Sequence, residues 1–280
     1  MRFCYQYATP DVAKSFTVTA YQGELEESFR AISGCGYDAV ELMARDVKGL
    51  DCSMLRNLLT KYNLEISLIC TGEVFGQGGI NLSDEDPEVR SIARERLTEM
   101  IDLAALFHAN INIGRVRGSF RDRIPEERTR QLAIASLKEL SAYAESKNVK
   151  IALEPICMLQ TRFINTVDQA ARFCDEVGSP AFGYMMDLYH MNIEEKDILQ
   201  TIHRFGAECL HVHLADSNRQ FPGRGHLNFS EILSAFYKAG YNHDFSVEIW
   251  QLPDQNTAAL QSAKALQPPL NAIYGRRIRP

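Results

Sequence analysis

The chain has 280 residues, a formal net charge of −6 and seven cysteines. Its acidic balance supplies no global basic field, which argues against nucleic acid as the main ligand. No apolar stretch approaches the roughly 18 residues that a membrane span needs. The odd number of cysteines, without a CxxC pair and without a signal-peptide pattern at MRFCYQYATP, predicts buried thiols in a reducing, cytoplasmic compartment.

Eight strand-like apolar runs recur along the chain, separated by segments long enough for one helix each. The runs are RFCYQY, YDAVELM, LEISLIC, NINIGRV, KIALEP, FGYMMD, CLHVHLAD and FSVEIW. Strands that alternate with amphipathic segments are typical of a parallel α/β fold. Eight such units in this length match the usual size of a (β/α)₈ barrel. We therefore predict one TIM-barrel catalytic domain over residues 1–280, rather than two domains.

Between the runs, local signals mark where helices begin and end. Asp86 is predicted to cap a helix that has Pro87 at its first position. Gly178 and Pro180 are predicted to stop a helix that starts near Thr166. These signals place one helix between the third and fourth runs and another between the fifth and sixth.

Metal-ligand side chains stand at the ends of the fifth to the eighth run. They are Glu154, Asp187, His213 and Glu248, here called the four candidate ligands. Catalytic groups of a parallel barrel collect at the C-terminal ends of its strands, and strand alternation points these four inward. Three carboxylates and one imidazole suit Mn²⁺, Mg²⁺ or Co²⁺ better than structural zinc. The set predicts one divalent ion, Mn²⁺ first, with open positions for substrate oxygens. His211, one layer beneath His213, is predicted to be a hydrogen-bonded core histidine.

Two arginines follow the fourth run. If the strand stays extended, Arg115 and Arg117 fall on the same side of it. A guanidinium pairs well with carboxylate or phosphate, so at least one of them is predicted to bind an anionic end of a substrate. Arg117 is taken as a candidate substrate-binding residue on this ground. An ion pair with Glu41 or Glu73 is the open alternative.

The segments around the four candidate ligands carry a family resemblance. They are EPICMLQTRFINT, DLYHMNIEE, HVHLADSNRQFPGRGHLNF and SVEIW. Together with GYDAVEL and INIGRVRG, they resemble the ketose 3-epimerase family of the xylose-isomerase-like TIM-barrel superfamily. INIGRVRG and HLADSNRQFPGRGH are most similar to its 5-keto-L-gluconate epimerase branch, alongside the tagatose and psicose 3-epimerases. The likeness extends over most of the chain.

The resemblance implies a metal-dependent epimerase that inverts the carbon beside the ketone of a ketose or keto-sugar acid. The proton on that carbon is far less acidic than a carboxylic acid, so its removal through a cis-enediolate needs electrostatic stabilisation from the ion. By resemblance, Glu154 and Glu248 move this proton on opposite faces of the substrate. His190 and Arg219 match substrate-binding positions of the family. A homo-oligomer, dimer or tetramer, is implied on the same ground.

One departure from the family and three alternatives keep the function open. Free-ketose epimerases often carry an acidic residue where this chain has Gln160, so the sugar cannot be copied across. An aldose–ketose isomerase of the same superfamily would return the proton to the terminal carbon. An endonuclease-IV-like repair enzyme would need several zinc ions and a basic DNA-binding face, which the acidic chain disfavours. A non-catalytic sugar-binding module would show no proton exchange.

Overall fold

Strands form at all eight predicted runs. A computed structural model describes residues 1–275, and every strand pair in this part of the chain is parallel. The strands are β1 (Phe3–Ala8), β2 (Ala39–Met43), β3 (Glu65–Cys70), β4 (Asn110–Ile113), β5 (Ile151–Leu153), β6 (Phe182–Tyr184), β7 (Met186–Asp187), β8 (Val212–Leu214) and β9 (Phe245–Val247). Because parallel strands are buried on both faces, these runs are apolar with little alternation.

The sheet curves into a nearly closed barrel. Its hydrogen-bonded order runs from β6 through β5, β4, β3, β2, β1, β9 and β8 to β7. Only Met185 separates β6 from β7, so these two segments are halves of the sixth predicted strand. The Met185 N–H donates to the Leu153 carbonyl at 2.9 Å, and the Met186 N–H donates to the His211 carbonyl at 3.1 Å. The chain thus passes from one neighbour to the other, and the predicted eight-stranded barrel is confirmed.

Helices connect the strands. They are α1 (Leu25–Gly34), α2 (Cys52–Tyr62), α3 (Gly72–Gly76), α4 (Pro87–Leu106), α5 (Glu126–Ser146), α6 (Val167–Val177), α7 (Leu188–Glu194), α8 (Ile198–Phe205), α9 (Phe229–Ala239) and α10 (Gln255–Tyr274). Two short ones, α3 and α7, lie at the cavity formed by the C-terminal strand ends. The predicted boundaries are confirmed. Asp86 caps α4, which begins at Pro87, and Thr166 caps α6, which ends at Gly178 in the left-handed conformation.

Polar side chains occupy part of the barrel interior. Buried residues in the strands, or directly before one, include Gln6, Glu41, Asn112, His211 and Ser246. A buried polar group is costly unless it is hydrogen-bonded, and most of these side chains do bond to one another or to the strand ends above them. The interior therefore carries a polar layer beneath the C-terminal ends of the strands.

The structure also bears on the predictions about membrane spans, cysteines and domain bounds. No helix within residues 1–275 is long and apolar enough to cross a membrane. All seven cysteines lie in the described part of the chain and are free thiols. Four are buried as predicted, whereas Cys35, Cys52 and Cys174 are partly exposed, so the prediction was wrong for these three. That one domain spans residues 1–280 stays a prediction, because residues 276–280 lie outside the described residues.

Candidate metal centre

The four candidate ligands come together at the C-terminal ends of consecutive strands. Glu154 follows β5, Asp187 ends β7, His213 lies in β8 and Glu248 follows β9. Each contributes one ligand atom to a group whose atoms all lie within 4.8 Å of one another. All four side chains are buried, with Asp187 and His213 fully inaccessible. The barrel therefore brings together four side chains that are spread over 95 residues of the sequence.

The imidazole of His213 lies at the middle of this group. Its Nδ1 is 3.2 Å from Glu248 Oε2, 3.3 Å from Glu154 Oε1 and 3.6 Å from Asp187 Oδ2. Among the described residues, His213 Nδ1 and Asp187 Oδ2 are buried polar atoms that lack a hydrogen-bond partner. Such orphaned atoms need an explanation, and a shared cation supplies it. Three carboxylate oxygens and one imidazole nitrogen fit Mn²⁺, Mg²⁺ or Co²⁺.

The pKa shifts of the candidate ligands also indicate a cation site. Burial raises the pKa of Glu154, and the charge of Glu248 raises it further. Burial acts in the same direction on Glu248, but Arg219 and His213 hold the pKa of that carboxyl well below its usual range. Burial disfavours the charged form of His213, yet Glu41 and Glu248 hold its pKa well above its usual value. Several carboxylates thus share one buried site, where a divalent ion would reduce their mutual electrostatic repulsion.

His190 and Arg219 lie beside the four candidate ligands. Arg219 Nη2 donates to Glu248 Oε2 at 2.7 Å, and its guanidinium lies 4.8 Å from the centre of the Tyr189 ring. His190 Nε2 lies 3.3 Å from Arg219 Nη1, while its Nδ1 accepts from the Cys157 N–H at 3.3 Å. Burial lowers the pKa of His190 to about 4. The ring is therefore neutral at pH 7 and can serve as a hydrogen-bonding group.

A cavity of about 680 Å³ opens at these strand ends. Its lining includes Glu154, Glu248, His190 and Arg219, and also Gln160 from the loop after β5. The site residues that the sequence predicts at the ends of β5, β7, β8 and β9 therefore lie together at one end of the barrel. The volume suits a small ligand such as a sugar.

Three further cationic side chains line the same cavity. They are Lys14, Arg45 and Arg115, from the loops after β1, β2 and β4, here called the cationic lining. Arg115 Nη2 lies 3.8 Å from Glu73 Oε1, which is the ion pair considered as its alternative. Lys14 and Arg45 make no ion pair within residues 1–275. The cavity thus combines the acidic candidate metal centre with three cations from other loops, one of which pairs with Glu73.

Arg117 does not take the position predicted for it. The prediction assumed an extended chain, and that assumption is wrong, because β4 ends at Ile113 and residues Arg115–Arg117 form a 3₁₀ turn. The turn separates the two arginines, so that Arg115 lines the cavity while Arg117 is fully buried. Of this pair, Arg115 is therefore the arginine that a ligand in the cavity can reach.

The guanidinium of Arg117 instead ties two loops together. It donates five hydrogen bonds of 2.6–3.0 Å to backbone carbonyls, those of Gly114, Glu154, Phe163 and Ile164. Burial lowers its pKa to about 10, which leaves it charged at neutral pH. Because one of its acceptors is the carbonyl of a candidate ligand, Arg117 supports the centre from outside the cavity.

Replacing Arg117 by methionine is expected to destabilise the protein by about 3 kcal/mol, because a buried acceptor that loses its donor costs roughly 1–3 kcal/mol. Urea unfolding followed by circular dichroism measures this. The matched control is Arg115→Gln, a partly exposed arginine two positions away, which should change stability by less than about 0.5 kcal/mol. An Arg117→Met variant with native stability and a raised KM would instead support the original substrate-binding role.

Comparison with known proteins places the chain in a family. The family model described as xylose isomerase-like TIM barrel matches residues 29–268, which is most of the chain. The chain belongs to the xylose isomerase-like TIM barrel family.

Relatives within this family include several epimerases. The D-psicose 3-epimerase of Enterocloster bolteae is 30% identical over 217 residues, covering 73% of this chain and 72% of the relative. The 3-dehydro-D-guloside 4-epimerase of Escherichia coli strain K12 is 27% identical and covers 77% of this chain and 83% of the relative. A solved L-ribulose 3-epimerase has a TM-score of 0.82 at 20% identity, covering 100% of this chain and 99% of its own. The resemblance to ketose 3-epimerases is confirmed by these relatives, and the structural match shows the shared fold.

This member of the xylose isomerase-like family also has site residues that the sequence reasoning missed. Glu41 was considered only as an ion-pair partner for an arginine, whereas it bonds to His211 and His213. Burial opposes its ionisation, but His213 and His211 hold the pKa of Glu41 well below its usual range. The available signal was a lone carboxylate in a strand that is otherwise apolar, in YDAVELM. Such a residue is buried only with partners.

Proposed function

We propose that this protein is a divalent-metal-dependent epimerase that inverts the carbon next to the ketone of a ketose or keto-sugar acid. The observation that carries the proposal is that Glu154 and Glu248 converge on one buried centre and line one cavity. The named activities of the relatives support the same chemistry. Mn²⁺ is the proposed ion, with Mg²⁺ and Co²⁺ as its closest substitutes.

Inversion requires that a proton leave one face of the carbon and return on the other. Glu154 and Glu248 are the outer members of four consecutive strand ends, with Asp187 and His213 between them. A substrate held over the centre would therefore have one of these carboxylates on each side. We propose that either carboxylate takes the proton at an Oε atom, depending on which epimer is bound, while the other delivers one.

The surrounding residues prepare these carboxylates for proton transfer. Arg219 keeps Glu248 ionised through its 2.7 Å hydrogen bond, whereas Glu154 in its buried position has a raised pKa and holds a proton more readily. Opposite shifts of two neighbouring acids are a pattern of acid–base pairs. When bound, the divalent ion supplies charge that stabilises the enediolate. Asp187 and His213 are proposed to complete its ligand set.

His190 and Arg219 are proposed to bind the substrate near its ketone. Both line the cavity, and both are held in place by contacts with their neighbours. Because Nδ1 of His190 accepts from the Cys157 N–H, the neutral ring carries its proton on Nε2 and can donate one hydrogen bond to a sugar oxygen.

The cationic lining supports a keto-sugar acid over a neutral ketose. Arg115→Gln is expected to raise KM for a keto-sugar acid about tenfold with kcat little changed, since a charge-assisted hydrogen bond contributes about 1.5 kcal/mol or more. Steady-state kinetics measure this on a 5- or 6-carbon keto acid, with the matching neutral ketose as the control substrate. An equal rise in KM for both substrates, or no rise for either, would show that Arg115 does not read an anionic group.

Product analysis tests the proposal directly. The Mn²⁺-loaded protein is incubated with ketoses and keto-sugar acids, and the products are separated by chromatography. A product that differs only in configuration beside the ketone supports the epimerase, whereas an aldose would support the isomerase. Cleavage of abasic DNA instead of any sugar conversion would support the nuclease, although the centre has a single imidazole among its four candidate ligands.

Three finer expectations stay predictions. They are Mn²⁺ as the native ion, a homo-oligomeric dimer or tetramer without nucleic-acid partners, and a cytoplasmic location. Light scattering after gel filtration measures the oligomer. The free thiols are what a reducing compartment would maintain.

A further inference from the structure

Glu41 lies at the bottom of the candidate metal centre without belonging to the four candidate ligands. It stands in β2 and is fully inaccessible to solvent. Three side chains direct nitrogen atoms at its carboxylate: His213 Nε2 at 3.0 Å, His211 Nε2 at 3.0 Å and Gln6 Nε2 at 2.8 Å. Burying a carboxylate this deeply costs desolvation free energy even when it is fully hydrogen-bonded, so we expect Glu41 to have a functional role.

This role follows from the contacts of the two ring nitrogens of His213. Nδ1 faces the carboxylates of Glu154, Asp187 and Glu248, while Nε2 faces Glu41. An ionised carboxylate only accepts hydrogen bonds, so when a cation displaces the Nδ1 proton, the remaining ring proton of His213 must stay on Nε2. That leaves the lone pair of Nδ1 free on the side of the metal centre. In metal sites generally, the second nitrogen of a histidine ligand is held in this way.

We propose that Glu41 is a positioning residue of the metal centre, which accepts the Nε2 proton of His213 and thereby keeps Nδ1 oriented and available for the cation. The proposal rests on the proposed function only in requiring that the four candidate ligands hold a divalent ion. It does not depend on which sugar is converted.

Glu41 is itself held by residues that reach a second ligand. Gln6 Nε2, which donates to Glu41 Oε1, also lies 3.3 Å from Glu248 Oε1. The Thr19 hydroxyl lies 3.1 Å from the same Glu248 oxygen and 3.2 Å from Gln6 Oε1. One hydrogen-bonded layer therefore sets the orientation of both His213 and Glu248. His211 fixes the other Glu41 oxygen, which gives this histidine a supporting role in the core.

The same atoms raise a competing interpretation, a second cation held by Glu41, His211 and His213. His213 would then have to lose both ring protons in order to bridge two ions. Gln6 already occupies one oxygen of Glu41 with a donated hydrogen bond. The contacts therefore favour one cation, with Glu41 as an acceptor beneath it.

The test measures cation binding without turnover. Chelator-treated full-length protein is titrated with Mn²⁺, and free Mn²⁺ is followed by electron paramagnetic resonance. Glu41→Gln keeps the shape but replaces one acceptor oxygen by a donor, and it is expected to weaken Mn²⁺ binding about 10- to 100-fold. The visible absorption spectrum of the Co²⁺-loaded variant is expected to shift, because the orientation of His213 changes.

The matched control is Ser246→Ala. Ser246 lies in the same buried layer, beneath Glu248, and its hydroxyl has no hydrogen-bond partner among the described residues. Mn²⁺ affinity and the Co²⁺ spectrum should therefore match those of the unaltered protein. Glu41→Asp keeps the charge with a shorter reach and is expected to restore part of the affinity. It also serves as the test variant if Glu41→Gln does not fold.

Each outcome decides the proposal. Native Mn²⁺ affinity and a native Co²⁺ spectrum in Glu41→Gln, or in Glu41→Asp if only that variant folds, would overturn it. Two ions per unaltered chain, reduced to one by Glu41→Gln, would also overturn it, since Glu41 would then be a direct ligand. Weakened binding in a protein that converts no sugar would leave this inference standing while the proposed function fails.

Discussion

Replacing Glu154 or Glu248 by glutamine is expected to lower kcat for epimerisation by about 10³-fold or more. Each substitution removes a carboxylate that must carry a proton, and general acid–base groups contribute roughly 10²–10⁴-fold each. Glutamine has nearly the shape of glutamate, so the barrel should remain folded, as circular dichroism would verify. The loss also includes weaker cation binding, because both residues are candidate ligands.

The proton-transfer role can be separated from the metal role by isotope exchange. With Mn²⁺ present at a concentration that saturates the variant, Glu154→Gln should still exchange the proton of the epimer that faces Glu248, while inversion is lost. Glu248→Gln should show the opposite preference. The matched control is Glu73→Gln, a cavity carboxylate outside the four candidate ligands, whose kcat should fall by no more than about tenfold, below the general acid–base range. Substantial inversion by either glutamine variant would contradict the two-carboxylate mechanism.

Removing the divalent ion is expected to abolish turnover and to lower the midpoint of thermal unfolding by about 5–8 °C. An ion present at 100 to 1,000 times its Kd stabilises the native state by roughly 2.7–4 kcal/mol. In a domain of this size each kcal/mol corresponds to roughly 2 °C. Metal removal is expected to lower the free energy of unfolding, because the buried carboxylates and the unpartnered His213 Nδ1 then face one another without a shared cation.

Calorimetry and activity assays after chelation test this expectation. Adding back Mn²⁺, Mg²⁺ or Co²⁺ should restore both properties, and the order of restored activity would identify the preferred ion. Asp187→Asn provides a comparison that removes one ligand charge without removing either proton-transfer carboxylate. Full activity and an unchanged melting temperature in chelated protein would show that the four candidate ligands do not hold a functional cation.

Much of the fold and the centre of the site could be predicted because both depend on local patterns. Each strand is a continuous apolar run, and a parallel barrel brings the ends of such runs together. Glu154, Asp187, His213 and Glu248 stand directly at those ends. Their convergence therefore needed no knowledge of side-chain packing.

Arg117 and Glu41 could not be placed in this way because distant parts of the chain decide their positions. The turn at Arg115–Arg117 ends at Gly118, whose φ of +101° favours glycine and whose Cβ, if present, would lie 1.8 Å from Ser83 Oγ. Two of the four carbonyls that bind Arg117, those of Phe163 and Ile164, come from a loop about 46 residues later in the chain. Glu41 meets His213 across 172 positions. Long-range packing of this kind leaves only a weak trace in one sequence.

The most direct test of the proposed epimerisation is proton NMR of the Mg²⁺-loaded protein in D₂O with ketoses, keto-sugar acids and their phosphates. Mg²⁺ is used because it avoids the paramagnetic broadening that Mn²⁺ would cause. An epimerase of this kind is expected to introduce deuterium at the carbon beside the ketone, together with the inverted product. Deuterium at the terminal carbon with an aldose product, or no exchange in any member of the panel despite bound metal, would contradict it.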